Sequence, residues 1–324
     1  MSILSFVAIS EGKIKRSSLE TLSHARQLAQ NNGMDVQALI VDEKAGSYAD
    51  EVKKFGVSKI YTVESPVFKE HINTTLIEAI VKVIGLAQPK VVTFASTESV
   101  KDVLGAVAAR TKAGVISDVA SFDLRDGTLK AQRPIMASKF LADTESSADL
   151  VLVSVRSGSY DVSEAPADAE VVAVDFDFDE GSLRQKIKEI ISSSGDKIDL
   201  SEAEIVVAAG RGVKDEEGKK LIEELSEALG AAIGASRSVV ETGMFSPTTQ
   251  IGQTGKVVSP QLYIAVGISG AIQHTSGMAN SKIIVAINKD ADAPIFDIAT
   301  YGLVGDLYKI LPLLTEQIKA IRNQ

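Results

Sequence analysis

The sequence predicts an α/β protein of two domains, an N-terminal parallel-sheet, nucleotide-fold-like domain with added strands and a smaller doubly wound domain. Three observations support this class. The chain has 324 residues, roughly twice the ~150 residues of a common domain. Short apolar runs alternate with amphipathic stretches, as in parallel strands joined by helical crossovers. A small polar segment at 192–196 interrupts the alternation, which then restarts, so we predict domains over residues 1–195 and 196–324.

The first domain is predicted to begin with four strand-helix pairs. Ser17 to Glu20 fit a capping box, in which a hydroxyl and a carboxylate satisfy free amides at a helix start, and Gly33 is the expected end of that helix. The pattern then becomes strand-rich, with a hairpin turn at Asp126-Gly127. Predicted strands lie at 3–9, 36–41, 59–63, 91–95, 150–155 and 171–176, and helices at 45–55, 72–86, 100–110 and 183–191, the last capped by Ser182.

The second domain repeats the alternation on a smaller scale. Leu221, Ile222, Leu225 and Leu229 recur at helical spacing before Gly230, which is a suitable helix end. A last helix is predicted from about 305 to 321. Strands are expected at 205–209, 231–233, 262–266 and 283–287.

Composition excludes several function classes. The chain carries 43 acidic and 34 basic side chains, a formal charge of −9, which argues against nucleic acid or an anionic membrane as the main partner. There is no cysteine and there are 3 histidines, so disulfides, thiolate catalysis and a multi-histidine metal site are not expected. The apolar run at 3–9 is short and lacks a basic lead, so we expect a cytoplasmic protein without direct membrane insertion.

The distribution of charge is more informative than its total. Charged residues make up 24% of the chain, yet Lys256 is the only one between Thr242 and Ser281. Interruption by Pro247 and Pro260 and by several glutamines excludes a membrane span. The stretch contains the loop 250–255, which is polar but uncharged, and we expect a ligand or another subunit to cover it.

Four junctions in the second domain are candidates for ligand contact, because ligands bind at the carboxyl ends of parallel strands. They are the Gly210–Gly212 turn, the Gly-rich run 267–274, the loop 250–255, and Ser236-Arg237 together with Asn288. Each has a purely structural alternative. The glycine turns occur in many folds, and Arg237 could simply pair with Glu241 instead of an anionic ligand.

Several longer runs in the second domain are specific enough to indicate a protein family. They are QIGQTGKVV at 250–258, LYIAVGISGAIQH at 262–274, VAINKD at 285–290, APIF at 293–296 and YGLVGDL at 301–307. Together they resemble the alpha subunit of electron transfer flavoproteins, closely from residue 205 to the C-terminus. The first 200 residues agree in length and alternation but carry little signature of their own.

The resemblance implies an FAD-binding subunit that forms a heterodimer with a beta subunit. Such proteins take electrons from flavin dehydrogenases, acyl-CoA dehydrogenases among them, and pass them to a quinone oxidoreductase, without turnover of a substrate of their own. Matching positions imply contacts with the flavin ring for Arg237, Gln253 and Thr254, with the ring's carbonyl edge for His274, and with the adenosine half for Asn288. The full set implied for FAD is Arg211, Ser236, Arg237, Ile251, Gly252, Gln253, Thr254, Ser269, Gly270, Ala271, Ile272, Gln273, His274, Asn288, Asp306 and Leu307.

Electrostatics gives Arg237 a role under this resemblance. An anionic semiquinone places charge near N1 and the C2 carbonyl of the flavin, and a fixed cation at ~4 Å stabilises it by about 4 kcal/mol before desolvation losses. Arg237 stays charged at any working pH, whereas His274 adds charge only if its pKa is raised.

The chain departs from the family pattern at 244–249, which reads Met-Phe-Ser-Pro-Thr-Thr, so the predicted site does not include this loop. Two alternatives to a simple carrier stay open at this point: an electron-bifurcating flavoprotein using NADH, and a nucleotide-dependent enzyme on the same fold. The absence of a G-x-x-x-x-G-K-[ST] loop and of G-x-G-x-x-G after the first strand argues against the enzyme.

Overall fold

A computed structural model describes residues 1–70, 72–136, 140–179, 181, 183 and 199–322. The chain divides into two compact units, Met1–Ile190 and Ile191–Gln324. The predicted helix at 183–191, apart from Leu183, its predicted cap Ser182 and the polar segment at 192–196 lie outside the described residues.

The first unit is built on a seven-stranded parallel sheet. Its strand order is β12-β5-β4-β1-β6-β11-β7, and every neighbouring pair is parallel. The strands of this unit are β1 Ser2–Val7, β2 Ile9–Ser10, β3 Lys13–Ile14, β4 Asp35–Asp42, β5 Lys59–Glu64, β6 Val91–Ala95, β7 Gly114–Val119, β8 Ser121–Arg125, β9 Thr128–Ile135, β10 Phe140–Ser146, β11 Val151–Val155 and β12 Glu170–Ala173; the helices are α1 Arg16–Asn31, α2 Ala49–Lys53, α3 Asn73–Ala87 and α4 Glu98–Thr111.

Two apolar cores cover the faces of this sheet. Alternate residues of β1 divide between them: Ile3 and Val7 belong to the core with α1, and Leu4 and Phe6 to the core with α3 and α4. Strands buried on both faces read as unbroken apolar runs, which is why the sequence predicts them well. The predicted α/β class with parallel sheets is therefore confirmed.

The predicted capping box at the start of α1 is wrong. The helix begins at Arg16 after Lys15, whose side chain makes no capping hydrogen bond. Ser18 Oγ instead accepts from the Ala8 amide at 3.1 Å, and Glu20 Oε2 accepts from the Gly158 amide at 2.7 Å. Both groups serve amides distant in sequence, because tertiary contacts compete successfully with local capping once the residues are buried.

The added strands form a separate antiparallel sheet of order β10-β9-β8. Asp126 and Gly127 both have positive φ, 50° and 76°, as the predicted two-residue hairpin turn requires. The predicted helix at 45–55 is divided into a 3₁₀ turn, Ala45–Tyr48, and the short α2.

The second unit is a smaller parallel sheet of order β14-β13-β15-β16-β17. Its strands are β13 Ile205–Ala209, β14 Ala232–Ala235, β15 Leu262–Val266, β16 Ile283–Asn288 and β17 Tyr301–Val304, and its helices are α5 Glu216–Leu229, α6 Arg237–Val240, α7 Ile272–Thr275 and α8 Leu307–Arg322. The sequence did not predict β17. This four-residue edge strand is exposed throughout and contains Gly302, so it shows no buried periodicity.

The strand order places a crevice at a defined point of this sheet. After β13 the chain adds β14 on one side and then crosses to add β15 on the other. The loops that leave β13 and β15 therefore diverge to opposite sides of the sheet, which creates the kind of opening at which open α/β sheets bind ligands. No helix among the described residues is long and apolar enough to cross a membrane.

Candidate functional site

A cavity of about 1250 Å³ lies at this switch point, within the second unit. It exceeds the roughly 300–1,000 Å³ of most small-molecule sites, so it can hold a ligand as large as a dinucleotide. Loops after β13, β14, β15, β16 and β17 all contribute. The lining residues are Arg211, Gly212, Lys214, Ser236, Arg237, Ser238, Glu241, Gln250, Ile251, Gly252, Gln253, Thr254, Gly267, Ile268, Ser269, Ala271, Gln273, His274, Ile287, Asn288, Lys289, Asp290, Ala293, Pro294, Gly305, Asp306, Leu307 and Tyr308.

The structure brings the expected site residues together. All of the residues assigned to FAD by resemblance line the cavity except Gly270 and Ile272. The loop 244–249, which the predicted site does not include, does not line it. Lining residues that the sequence did not reveal include Lys214, Lys289 and Tyr308. Only their position could have identified them, because each lies close to a strand end or a helix start. Neither their residue type nor their spacing distinguishes them from ordinary surface residues.

Glycines let the cavity loops pack against one another. A Cβ at Gly210 would collide with the backbone of Gly267 and Ile268, and one at Gly212 would lie 2.8 Å from the Gly267 Cα. The Gly212 amide donates to the Gly267 carbonyl at 3.0 Å. The close approach that the glycines permit is therefore between two loops, and the structural interpretation of the Gly210–Gly212 turn holds alongside its place on the cavity wall.

Gly270 acts one layer behind the wall. Its φ is +90°, and a Cβ there would collide with the amide nitrogen of Ile295 and lie 2.6 Å from the Ile295 Cα. The Ile295 amide donates to the Ser269 carbonyl at 3.0 Å. Gly270 thus fixes the path of the loop that presents Ser269 and Ala271. Ile272 begins α7, which is only about one turn long, and its side chain is exposed.

The uncharged loop 250–255 is covered partly by its own chain. The Ile251 amide donates to the Ala235 carbonyl at 2.9 Å, and the Gln253 amide donates to the Gln273 carbonyl at 2.7 Å. Ile251 is only 1% exposed, whereas the side chains of Gln253 and Thr254 remain exposed on the cavity wall. The expected external cover is therefore needed only for the outer part of the loop.

Arg237 is exposed and pairs with Glu241, which is the structural alternative stated for it. The side chain is 69% exposed, and its Nε lies 2.8 Å from Oε1 of Glu241. The reason is local: Arg237 opens the short helix α6, and residues four apart face each other on a helix. The ion pair with Glu241 is thus present, and because it is exposed it holds Arg237 weakly.

The cavity wall carries a small excess of positive charge. Four cations line it, Arg211, Lys214, Arg237 and Lys289, against three carboxylates, Glu241, Asp290 and Asp306. Glu241 is already paired with Arg237. The remaining cations suit an anionic ligand such as a diphosphate.

His274 supplies a neutral polar group. Burial lowers its pKa to about 4, opposed by the nearby Ile251 carbonyl, so the imidazole is uncharged at neutral pH and the raised pKa that would let His274 add charge is not present. Its Nε2 lies 2.8 Å from the Tyr263 hydroxyl. Its Nδ1 is buried and makes no hydrogen bond within the described part of the chain.

Asn288 joins two cavity loops at the end of β16. Its Nδ2 donates to the Ile268 carbonyl at 2.9 Å, and its Oδ1 accepts from the Asp290 amide at 3.0 Å. Asp306 in turn accepts from the Tyr308 amide at 3.1 Å. The side of the cavity formed by β16 and β17 is therefore held by side-chain to backbone bonds.

These features fit FAD. The volume accommodates a dinucleotide, and the excess cation charge suits a diphosphate. His274 lines the cavity, and its buried Nδ1 has no partner among the described residues. Polar uncharged groups such as Gln253, Thr254 and Ser269 supply donors and acceptors for the hydroxyls and ring of such a ligand.

Comparison with known proteins agrees with this geometry. Residues 199–279 match the family model described as the electron transfer flavoprotein FAD-binding domain, and residues 3–179 match the electron transfer flavoprotein domain. The chain is 39% identical over 313 residues to the electron transfer flavoprotein subunit alpha of Bacillus subtilis, covering 97% of this chain and 96% of the relative. It is 39% identical over 318 residues to the subunit of the same name from Mycobacterium tuberculosis, covering 98% of each.

A relative with another name is protein FixB of Clostridium saccharobutylicum, 35% identical over 315 residues, with 96% of this chain and 94% of the relative covered. Electron transfer flavoproteins are redox carriers rather than enzymes with a substrate of their own. The matched regions span nearly the whole chain, and the FAD-binding model falls on the unit that contains the cavity. The chain therefore belongs to the alpha-subunit family of electron transfer flavoproteins and carries its FAD-binding domain.

Proposed function

We propose that this chain holds one FAD in the cavity of its second unit and acts, with a beta subunit, as a cytoplasmic electron carrier. The observation that carries the proposal is the convergence of five strand-end loops on one large, cation-lined cavity, which includes all but two of the residues that the family resemblance assigns to the cofactor. Bound FAD would supply reversible one- and two-electron chemistry; the protein supplies binding, orientation and charge.

Each group of the wall has a role in this proposal. Arg211, Lys214 and Lys289, which line the cavity, would hold the diphosphate, and Gln253 and Thr254 would offer hydrogen bonds to the ring. Arg237 stabilises negative charge on the reduced flavin, after exchanging Glu241 for that charge. The exposed ion pair with Glu241 contributes little, so the exchange costs little.

Under this proposal the redox partners, unlike the beta subunit, are transient. Electrons would arrive from flavin dehydrogenases, such as acyl-CoA dehydrogenases, and leave to a quinone oxidoreductase, and bound FAD would supply the one-electron chemistry that joins them, through an anionic semiquinone. The uncovered part of the loop 250–255 supports a partner or ligand lying over it, since Gln253 and Thr254 are exposed and uncharged.

The test is purification of the chain with its beta subunit. We expect flavin absorbance, one FAD released per heterodimer on denaturation, and a red anionic semiquinone during stepwise reduction. A colourless complex that releases no FAD would refute the proposal. Two FAD per heterodimer and reduction by NADH would instead identify a bifurcating flavoprotein.

A further inference from the structure

A buried tyrosine-histidine pair stands directly behind the cavity wall. Tyr263 lies on β15 and is 0% exposed, and His274 lies on α7 and is 7% exposed. The Tyr263 hydroxyl is 2.8 Å from His274 Nε2. His274 lines the cavity and Tyr263 does not, so any influence of Tyr263 on a ligand passes through the imidazole.

Burial determines which atom of this pair donates. It raises the pKa of the Tyr263 hydroxyl well above 10, so the hydroxyl keeps its proton and needs an acceptor. Because the pKa of His274 is lowered, the imidazole is neutral and its Nε2 can accept. If His274 carried its proton on Nε2, the Tyr263 proton would face an N–H group and a buried donor would go unsatisfied, which is costly.

The other ring nitrogen supports the same assignment. Nδ1 is buried without a hydrogen-bond partner among the described residues, and the Ile251 carbonyl near the ring raises the pKa of His274. A neighbouring carbonyl oxygen attracts a protonated ring nitrogen and repels an unprotonated one with its lone pair. We propose that Tyr263 is a positioning residue whose hydroxyl donates to His274 Nε2 and keeps the imidazole as the neutral tautomer with its proton on Nδ1.

The consequence for the ligand rests on the proposed function. Held in this tautomer, His274 carries its proton on Nδ1, where the other tautomer would place a lone pair that repels a flavin carbonyl. Tyr263 therefore determines whether His274 donates or accepts a hydrogen bond at the cavity wall, without contacting the ligand itself.

The first test reads the tautomer itself in the purified heterodimer. Selective ¹⁵N-histidine labelling followed by nitrogen NMR distinguishes the two ring nitrogens, and His274→Gln identifies the signal among the 3 histidines. We expect Nδ1 protonated and Nε2 bare at pH 7. Protonation at Nε2, or at both nitrogens, would overturn the proposal, and this measurement on the unaltered protein needs no variant to fold.

The second test removes the hydroxyl. Tyr263→Phe should allow both tautomers and raise the protonation midpoint of His274 by about 0.5 to 1 pH unit, the equivalent of one neutral hydrogen bond. Tyr61→Phe is the matched control, since Tyr61 is also buried, at 7% exposure, but lies on β5 in the first unit. An unchanged tautomer and midpoint in Tyr263→Phe would contradict the proposal.

A third measurement separates this inference from the proposed function. We expect Tyr263→Phe to weaken FAD binding about three- to tenfold, measured by flavin released on dilution, while Tyr61→Phe leaves it unchanged. Unchanged affinity in Tyr263→Phe would overturn the link between the pair and the ligand. If the complex holds no FAD at all, the proposed function fails, and the nitrogen signals still decide the tautomer.

Discussion

Gly270 offers a prediction whose magnitude follows from the structure. In Gly270→Ala the new Cβ would collide with the Ile295 amide nitrogen and approach the Ile295 Cα at 2.6 Å, at a backbone φ of +90°. A positive φ costs a non-glycine residue about 1–2 kcal/mol, and overpacking a dense interior about 1–3 kcal/mol. We therefore expect the free energy of unfolding to fall by about 2 to 5 kcal/mol.

The same substitution should disturb the cofactor site. Relief of the collision requires Ile295 or the loop to move, and the Ile295 amide holds the Ser269 carbonyl at 3.0 Å. Ser269 and Ala271 line the cavity, so we expect at least tenfold weaker FAD binding, about 1.4 kcal/mol or more.

Two other glycines serve as controls that separate backbone strain from steric collision. Gly243 has φ +78° with nothing within 4 Å of an added Cβ, so Gly243→Ala tests the backbone strain alone. Gly105 lies in α4 with nothing within 4 Å and an ordinary φ, so Gly105→Ala should gain up to about 1 kcal/mol. Urea unfolding at a fixed FAD concentration, followed by circular dichroism, ranks the three. If Gly270→Ala proves no less stable than Gly243→Ala, the collision with Ile295 does not constrain the loop.

Three further predictions concern charge and hydrogen bonding. Arg237→Ala should destabilise the anionic semiquinone by about 1 kcal/mol, less than the unscreened value because the side chain is exposed. The semiquinone yield in stepwise reduction should be intermediate in Arg237→Lys, and an unchanged yield in Arg237→Ala would refute the role of this cation. Burial lowers the pKa of His274 from its ordinary 6.5 to about 4 in the folded chain, so the unfolded chain binds more protons between these pH values. The free energy of unfolding should therefore fall by up to about 3 kcal/mol as the pH drops from 6.5 to 4. In His274→Gln the urea midpoint should depend less steeply on pH, and an equally steep dependence would contradict the lowered pKa. Asn288→Asp should weaken FAD binding more than Asn288→Ala, because a carboxylate repels the Ile268 carbonyl to which Asn288 donates at 2.9 Å; equilibrium dialysis with FAD measures both, and the reverse order would show that this bond does not shape the site.

Some features were predictable because their cause is local or periodic. Strands such as Ile205–Ala209 and Leu262–Val266 match their predicted bounds, since strands buried on both faces need unbroken apolar runs. The Asp126-Gly127 turn was predictable because positive φ at two adjacent positions favours those residues. The residues that the family resemblance assigned to FAD line the cavity except Gly270 and Ile272, but the set left out lining cations such as Lys214 and Lys289.

Other features depended on contacts between distant parts of the chain. Glu20 meets the Gly158 amide rather than capping its own helix, and no local pattern records a partner 138 positions away. The pairing of Arg237 with Glu241 is local, but the exposure of Arg237 follows from the orientation of a four-residue helix. Periodicity cannot orient so short an element.

The sequence by itself determined the fold class, the family and the set of loops around the cofactor site. Buried strands, turns and long motifs each depend on residues that are adjacent in the sequence. Tertiary structure alone decided the protonation of His274 and its pairing with Tyr263. It also decided that Gly270 works behind the wall rather than on it. Burial and close approach arise only when separate strands and loops pack together, and these control both pKa and steric fit.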